Sequence, residues 1–262
     1  MSSDQSSATW VGIFDETFAA WANSRVRRRV WESVFGDEYP DEAEPFSFTT
    51  RSELRRLGQE LRVGPEHAFA DLGCGTGGPG LWVARATGGA LIGIDLSPVA
   101  LEQARRRAVA FGLSGRSRFQ VGDFLATGLP AESVDGVMSI DALHFAPDKA
   151  AALREVRRIL RPGARFALTT WDFTSAPPDR PPQVDDHRPL LEDSGFTVEV
   201  YEETPEWERR QRAVLEGIIA AREDLVEEFG ADAADEIVKS ETRQGELLAN
   251  MRRRVVITAR KR

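Results

Sequence analysis

Asp71, Asp95 and Asp123, together with a turn of closely spaced glycines, are the residues whose types and spacing suit ligand chemistry. Positions 70–80 read Ala-Asp-Leu-Gly-Cys-Gly-Thr-Gly-Gly-Pro-Gly. An apolar run, Ala68-Phe69-Ala70, precedes the turn, and an apolar-periodic run, Leu81-Trp82-Val83-Ala84, follows it. This is the layout of a buried strand, a glycine loop and a helix N-terminus. There bare backbone approaches a ligand closely and unpaired N–H groups meet it. A nucleoside triphosphate site needs a Gly-Lys-Ser/Thr ending, and no lysine stands near the loop. A dinucleotide site needs Gly-x-Gly-x-x-Gly, which Gly73, Gly75 and Gly78 satisfy formally. Glycine spacing alone therefore decides nothing. Asp71 bears on the choice, because a carboxylate two residues before the first glycine repels a pyrophosphate and attracts an ammonium group.

The stretch Asp71-Leu72-Gly73-Cys74-Gly75-Thr76-Gly77 resembles the first motif of class I S-adenosylmethionine-dependent methyltransferases. S-adenosylmethionine carries an ammonium and a sulfonium and no phosphate, which suits Asp71. The run Gly89 to Asp95 reads as a second strand ending in an acid 22 positions after Gly73. An acid there can accept both ribose hydroxyls of an adenosine, and Leu96 beside it joins the expected cofactor set. In the family, an acid at the end of the third strand binds the adenine amino group and the next residue flanks the ring. Asp123 and Phe124 match that pair. Gly73, Gly75, Gly77 and Ser139 complete the cofactor-binding residues that the resemblance implies.

Methyl transfer is an in-line displacement, so alignment supplies much of the catalysis. A hydroxyl acceptor must also lose a proton, which calls for a base at the crevice. The chain has three histidines. His67 precedes the first strand, at the end of the sheet remote from the crevice, and reads as structural. His187 opens a helix after a proline-rich loop, and both a near-site and a surface position stay open. His144 lies just past the fourth strand, with Asp141 three residues earlier, a spacing that lets an acid orient the imidazole on one face of a turn. Asp172 ends the fifth strand. Several small-molecule O-methyltransferases of this class, sugar-modifying ones included, resemble this arrangement. Catalytic roles are therefore expected for His144, Asp172 and Asp141.

Other chemistries fit poorly. A formal net charge of −8 argues against general binding to a phosphate backbone. An Asn/Asp-Pro-Pro-aromatic box of the kind used on base amino groups is missing after the fourth strand, where the chain reads Ser139-Ile140-Asp141-Ala142. The pairs Pro177-Pro178 and Pro181-Pro182 are followed by Asp179 and Gln183 rather than by an aromatic residue. The one cysteine, Cys74, sits inside the glycine loop, where it cannot act as a nucleophile on cytosine. A lone cysteine also fits a reducing compartment. Asp141 and Asp172 alone do not make an oxygen-rich metal site, so no metal is expected. No run is long and apolar enough to span a membrane, and the polar start of the chain lacks a signal-peptide pattern. The expectation is a cytoplasmic enzyme acting on a small organic acceptor, without nucleic-acid or membrane partners. Oxygen is the favoured methylated atom. Carbon or nitrogen methylation, non-methyl chemistry on the same fold, and a nicotinamide oxidoreductase are the alternatives.

The elements that position these residues alternate strand and helix, the pattern of an α/β fold. Thr50-Arg51-Ser52-Glu53 is a capping box that starts a helix with Leu54, Leu57 and Leu61 on its buried stripe. Ser97-Pro98 starts another. Residues Trp10 to Phe35 read as helical, and in the family such additions often cover the acceptor pocket. A long helical region from Pro205 to Arg252, broken at Gly230, is expected as a lid. The resemblance implies a Rossmann-like seven-stranded sheet, order 3-2-1-4-5-7-6, last strand antiparallel, with helices on both faces. Three parts are expected: a helical cap over 1–49, the cofactor-binding domain over 50–204 and 253–262, and the lid insert over 205–252.

Overall fold

A computed structural model describes residues 3–21, 23–177 and 180–262. Pro178 and Asp179, in the proline-rich loop, lie outside the described residues. Seven strands form one sheet in the order β3-β2-β1-β4-β5-β7-β6. They are β1 (Ala68–Leu72), β2 (Ala90–Asp95), β3 (Ser117–Val121), β4 (Val134–Ile140), β5 (Leu160–Phe173), β6 (Phe196–Glu203) and β7 (Met251–Lys261). Neighbours among the first five are parallel, and β7 runs antiparallel to both β5 and β6. The expected order and direction are both found. An antiparallel β7 also leaves no second mononucleotide half of the kind a dinucleotide fold requires.

Helices α3 (Arg51–Leu61), α4 (Gly78–Thr87) and α5 (Pro98–Ala110) pack on one face through Leu54, Leu57, Leu81, Leu101 and Ala104. Helices α6 (Lys149–Ile159) and α7 (His187–Asp193) cover the other through Leu153, Val156 and Leu191. The helix starts are set locally. Thr50 Oγ1 accepts from Glu53 N at 3.1 Å, and Glu53 Oε2 accepts in return from Thr50 N at 3.0 Å. Ser97 Oγ accepts from Ala100 N at 3.0 Å, with Pro98 in the first turn. Each such cap satisfies backbone donors that have no partner inside the helix.

The stretch Trp10–Phe35, expected to be helical, falls in two helices, α1 (Ser3–Trp21) and α2 (Arg25–Phe35). Ser24 adopts extended backbone and caps α2 through Arg27 N. Glu228 reinforces the start, accepting from Arg25 N at 2.8 Å and Val26 N at 3.2 Å. Glu228 belongs to α9 (Arg222–Phe229), between α8 (Trp207–Ala220) and α10 (Ala231–Leu247). The region before β7 thus has a break at Ala221 as well as the expected one at Gly230. Val26, Val30, Phe35, Val214, Ile218 and Leu225 form a separate apolar core that joins α2 to α8–α10.

Candidate active site

The glycine loop is stitched to β2. Gly73 N and Cys74 N both donate to Ile94 O, at 2.9 and 3.1 Å. Gly75 N donates to Asp95 Oδ2 at 2.7 Å, and Ser97 N donates to Asp95 Oδ1 at 2.9 Å. Gly73 has φ +70°, and a Cβ there would lie 2.5 Å from Ala142 Cβ. Glycine is thus required at that position by both conformation and space.

One cavity opens above this loop at the carboxyl edge of the sheet. Asp71, Asp95 and Asp123 line it together with Gly73, Gly75, Leu96, Phe124 and Asp141. Aromatic rings supply its opposite wall: Trp10, Phe14 and Phe18 from α1, with Phe46 and Phe145. Phe14 meets Phe145 edge-on at 5.2 Å between centroids, and Phe18 meets Phe46 at 4.8 Å. Asp15 on α1 also bonds Ser97 Oγ at the foot of α5, fixing the aromatic helix over the acidic floor.

Burial and the neighbouring Asp95 push the Asp71 carboxyl up to about 8. Asp95 is raised too, because burial outweighs the N–H groups of Ser97, Gly75 and Leu96. Two adjacent buried acids resist ionisation until a positive charge arrives. Asp123 Oδ1 accepts from Leu125 N and Ala126 N, both at 2.8 Å, while Oδ2 has no partner among the described residues. Burial and the same two acids push the Cys74 thiol far up, so it stays an inert packing group.

Two expected cofactor residues stand away from the cavity lining. Gly77, at φ +75°, is the N-cap of α4, and a Cβ there would meet Ala104 Cβ at 2.9 Å. Ser139 is fully buried and donates to Leu72 O at 2.9 Å, tying β4 to β1. Loop residues such as Thr76, Ala142 and Phe145 also line the cavity. The sequence carried no signal for Phe46 and Ser47, which reach it from a segment far from the glycine loop.

The expected catalytic trio is not assembled. Asp141 does not orient His144. Its carboxylate accepts from Arg254 Nε at 3.0 Å and Nη2 at 3.2 Å, from Thr169 Oγ1 at 2.8 Å and from Phe48 N at 3.1 Å. Arg254 is also bonded to Glu53 at 2.6 Å. Asp141 therefore anchors β4 to β7 and to the α3 start. Asp172 is likewise turned elsewhere, accepting from His187 Nδ1 at 2.8 Å, Tyr201 Oη at 2.7 Å and Arg253 Nε at 2.6 Å. The His144 ring is buried against Phe145, 4.0 Å between centroids, and meets Trp171 edge-on at 5.1 Å. Burial, then Arg180, Lys149 and His187, hold it well below the usual imidazole range, so it is neutral. Its Nδ1 has no partner among the described residues. No group of three or more metal-ligand side chains occurs among the described residues.

Residues 70–168 match a family described as "Methyltransferase domain". Over this stretch the chain carries a methyltransferase domain. Around this methyltransferase domain it is 32% identical over 149 residues to the methyltransferase GfsG of Streptomyces halstedii, covering 56% of this chain and 54% of that protein. It is also 32% identical over 174 residues to a probable chloroplastic tocopherol O-methyltransferase of Oryza sativa, covering 61% of this chain and 45% of that one. The chain thus spans about half the length of these curated relatives. The fold is that of the cyclopropane synthase MmaA2 of Mycobacterium tuberculosis, with a TM-score of 0.72 at 17% identity, over 95% of this chain and 98% of that one.

Proposed function

We propose that the protein transfers a methyl group from S-adenosylmethionine to a small organic acceptor. One observation carries the reading: three acids from the ends of successive strands meet in one cavity, where burial raises both Asp71 and Asp95 and the neighbouring Asp95 raises Asp71 further. A cationic ligand without phosphate relieves that arrangement, whereas a pyrophosphate aggravates it. The residues therefore fit this cofactor. Asp71 faces the charged amino-acid portion, Asp95 accepts the ribose hydroxyls, and Asp123 with Phe124 holds the adenine.

When bound, S-adenosylmethionine supplies an activated methyl on a sulfonium whose leaving group is neutral. The chain aligns the acceptor with that methyl and keeps water out. Trp10, Phe14 and Phe145 form an apolar wall suited to both tasks. We assign removal of a hydroxyl acceptor's proton to the neutral imidazole of His144, which packs against Phe145 and stands outside the cavity lining. With no carboxylate behind it, His144 is a weak base, which favours an acidic hydroxyl such as a phenol. The tocopherol O-methyltransferase relative points the same way. Methylation of carbon or nitrogen is the competing outcome. Among the described residues no helix is long and apolar enough to cross a membrane. We assign the protein to the cytoplasm on the single buried cysteine.

The test is calorimetric binding of S-adenosylhomocysteine followed by labelled methyl transfer to phenolic acceptors. His144→Ala should cut turnover at least about tenfold and leave cofactor affinity intact. Unchanged turnover on a hydroxyl acceptor would remove His144 as the base.

A further inference from the structure

Buried arginines in this protein are held in two ways: Arg254 and Arg165 by acids, and Arg27 by the Pro45 carbonyl and the faces of Trp31 and Phe46. Arg254 is held by Asp141 and Glu53, and half-buried Arg253 sits against Asp172. Two cations beside His144 also lack an acid partner among the described residues. Lys149 is buried, and its Nζ meets only carbonyl oxygens, those of His144 and Ala146 at 3.2 Å and that of Pro182. Burial pushes this ammonium down to about 8. Arg180 is half-buried, with its guanidinium over the rings of Trp10 at 5.4 Å and Phe145 at 5.1 Å. It donates to Gln244 Oε1 of α10 at 3.2 Å, while Nε and Nη1 have no partner and no carboxylate lies in reach among the described residues.

Holding a guanidinium partly out of water without a counter-charge is costly, and such groups are ordinarily paired. The rings under Arg180 also line the acidic cavity. Acid therefore lines the cavity on one side of Phe145, and a cation with no acid partner among the described residues stands against the same ring. A planar, stacked guanidinium with free donors is suited to two-point capture of an oxyanion.

We propose that Arg180 is the anchor for an anionic oxygen group, a carboxylate or a phosphate, on the acceptor. The inference rests on the methyltransferase reading, since it places an acceptor beside His144. The anchored charge stays unchanged through the transfer. Its role is orientation: the cofactor's cationic end is drawn to Asp71, the acceptor's anionic end to Arg180, and the nucleophile is left between them.

The experiment uses the full chain saturated with S-adenosylhomocysteine and three probes of one shape: 1-naphthoate, 1-naphthyl phosphate and 1-naphthamide. Calorimetry gives each affinity for the wild type, Arg180→Gln, Arg180→Lys and Gln244→Ala. At least one anion should bind about tenfold or more tighter than the amide. That preference should vanish in Arg180→Gln, return in part in Arg180→Lys, and survive Gln244→Ala, which removes only the contact with α10. The stronger anion identifies carboxylate or phosphate as the preferred group. Should Arg180→Gln fail to fold, the contrast between Arg180→Lys and the wild type on the doubly bonded anion decides, with loss of at least about threefold expected. Anions binding no better than the amide, including no binding of any probe up to about 10 mM, overturn the proposal. So does a preference that persists in Arg180→Gln. Failure of S-adenosylhomocysteine itself to bind is a separate result, which overturns the methyltransferase reading and this inference with it.

Discussion

His187 Nδ1 lies 2.8 Å from Asp172 Oδ1, and both side chains are sealed from solvent. The carboxylate closes a network with Tyr201 and Arg253, so it holds together the ends of β5, β6 and β7 and the start of α7. Burial pushes the Asp172 carboxyl up, but the donors from His187, Tyr201 and Arg253 together outweigh it and keep it below the usual range. The sign follows: this stabilisation is present above the unfolded-state pKa of about 4 and is lost as pH falls through the lower folded value. Asp172→Ala should cost about 3–5 kcal/mol, because the donors of His187, Tyr201 and Arg253 lose a buried charged acceptor. Thermal unfolding should show a fall of about 10 °C, with cofactor affinity unchanged. A fall in turnover without loss of stability would instead restore a catalytic role for Asp172.

Asp95 has a double task. It fixes the loop through Gly75 N and Ser97 N while facing the cavity. Asp95→Ala should weaken S-adenosylhomocysteine binding by about 100-fold or more, since hydrogen bonds to a charged acceptor contribute about 1.5–3 kcal/mol each. Calorimetry checks this, and unchanged affinity would displace the ribose from Asp95.

The raised carboxyl of Asp71 gives a pH signature. In the free protein it holds its proton up to about 8. A cationic ligand favours the ionised form and lowers that value. Cofactor affinity should therefore be full above pH 8 and fall by about tenfold for each unit below it, until the lower bound-state value is reached. Titrations between pH 6 and 8.5 should show the slope in the wild type and its loss in Asp71→Asn.

Gly78 completes a dinucleotide-like glycine pattern on paper, yet its role is packing. A Cβ there would lie 1.7 Å from Ala43 O, a backbone atom that cannot yield cheaply. Gly78→Ala should prevent folding or lower the melting temperature by more than about 5 °C. A fully stable variant would show that the segment around Ala43 is free to move off α4.

These cases show what was legible and what was not. Helix starts were readable because they are local: Thr50 and Glu53, or Ser97 and Pro98, satisfy each other's neighbourhood within four residues. Asp71, Asp95 and Asp123 were readable because each ends a strand in a fixed rhythm, and all three reach one cavity. Pairings across long separations were not. Asp141 stands three residues from His144, but its oxygens are claimed by Arg254, 113 positions away. Asp172 is claimed by His187, which a helix-opening position after a proline loop could not place. The break at Ser24 was hidden for the same reason, since half of its capping comes from Glu228.

The central claim is that the acidic cavity holds an adenosyl amino acid. Parallel calorimetric titration with S-adenosylhomocysteine and with NADH tests it most directly. The account predicts saturable one-site binding of S-adenosylhomocysteine, abolished in Asp95→Ala, and none of NADH. Tight NADH binding with no response to S-adenosylhomocysteine would contradict it.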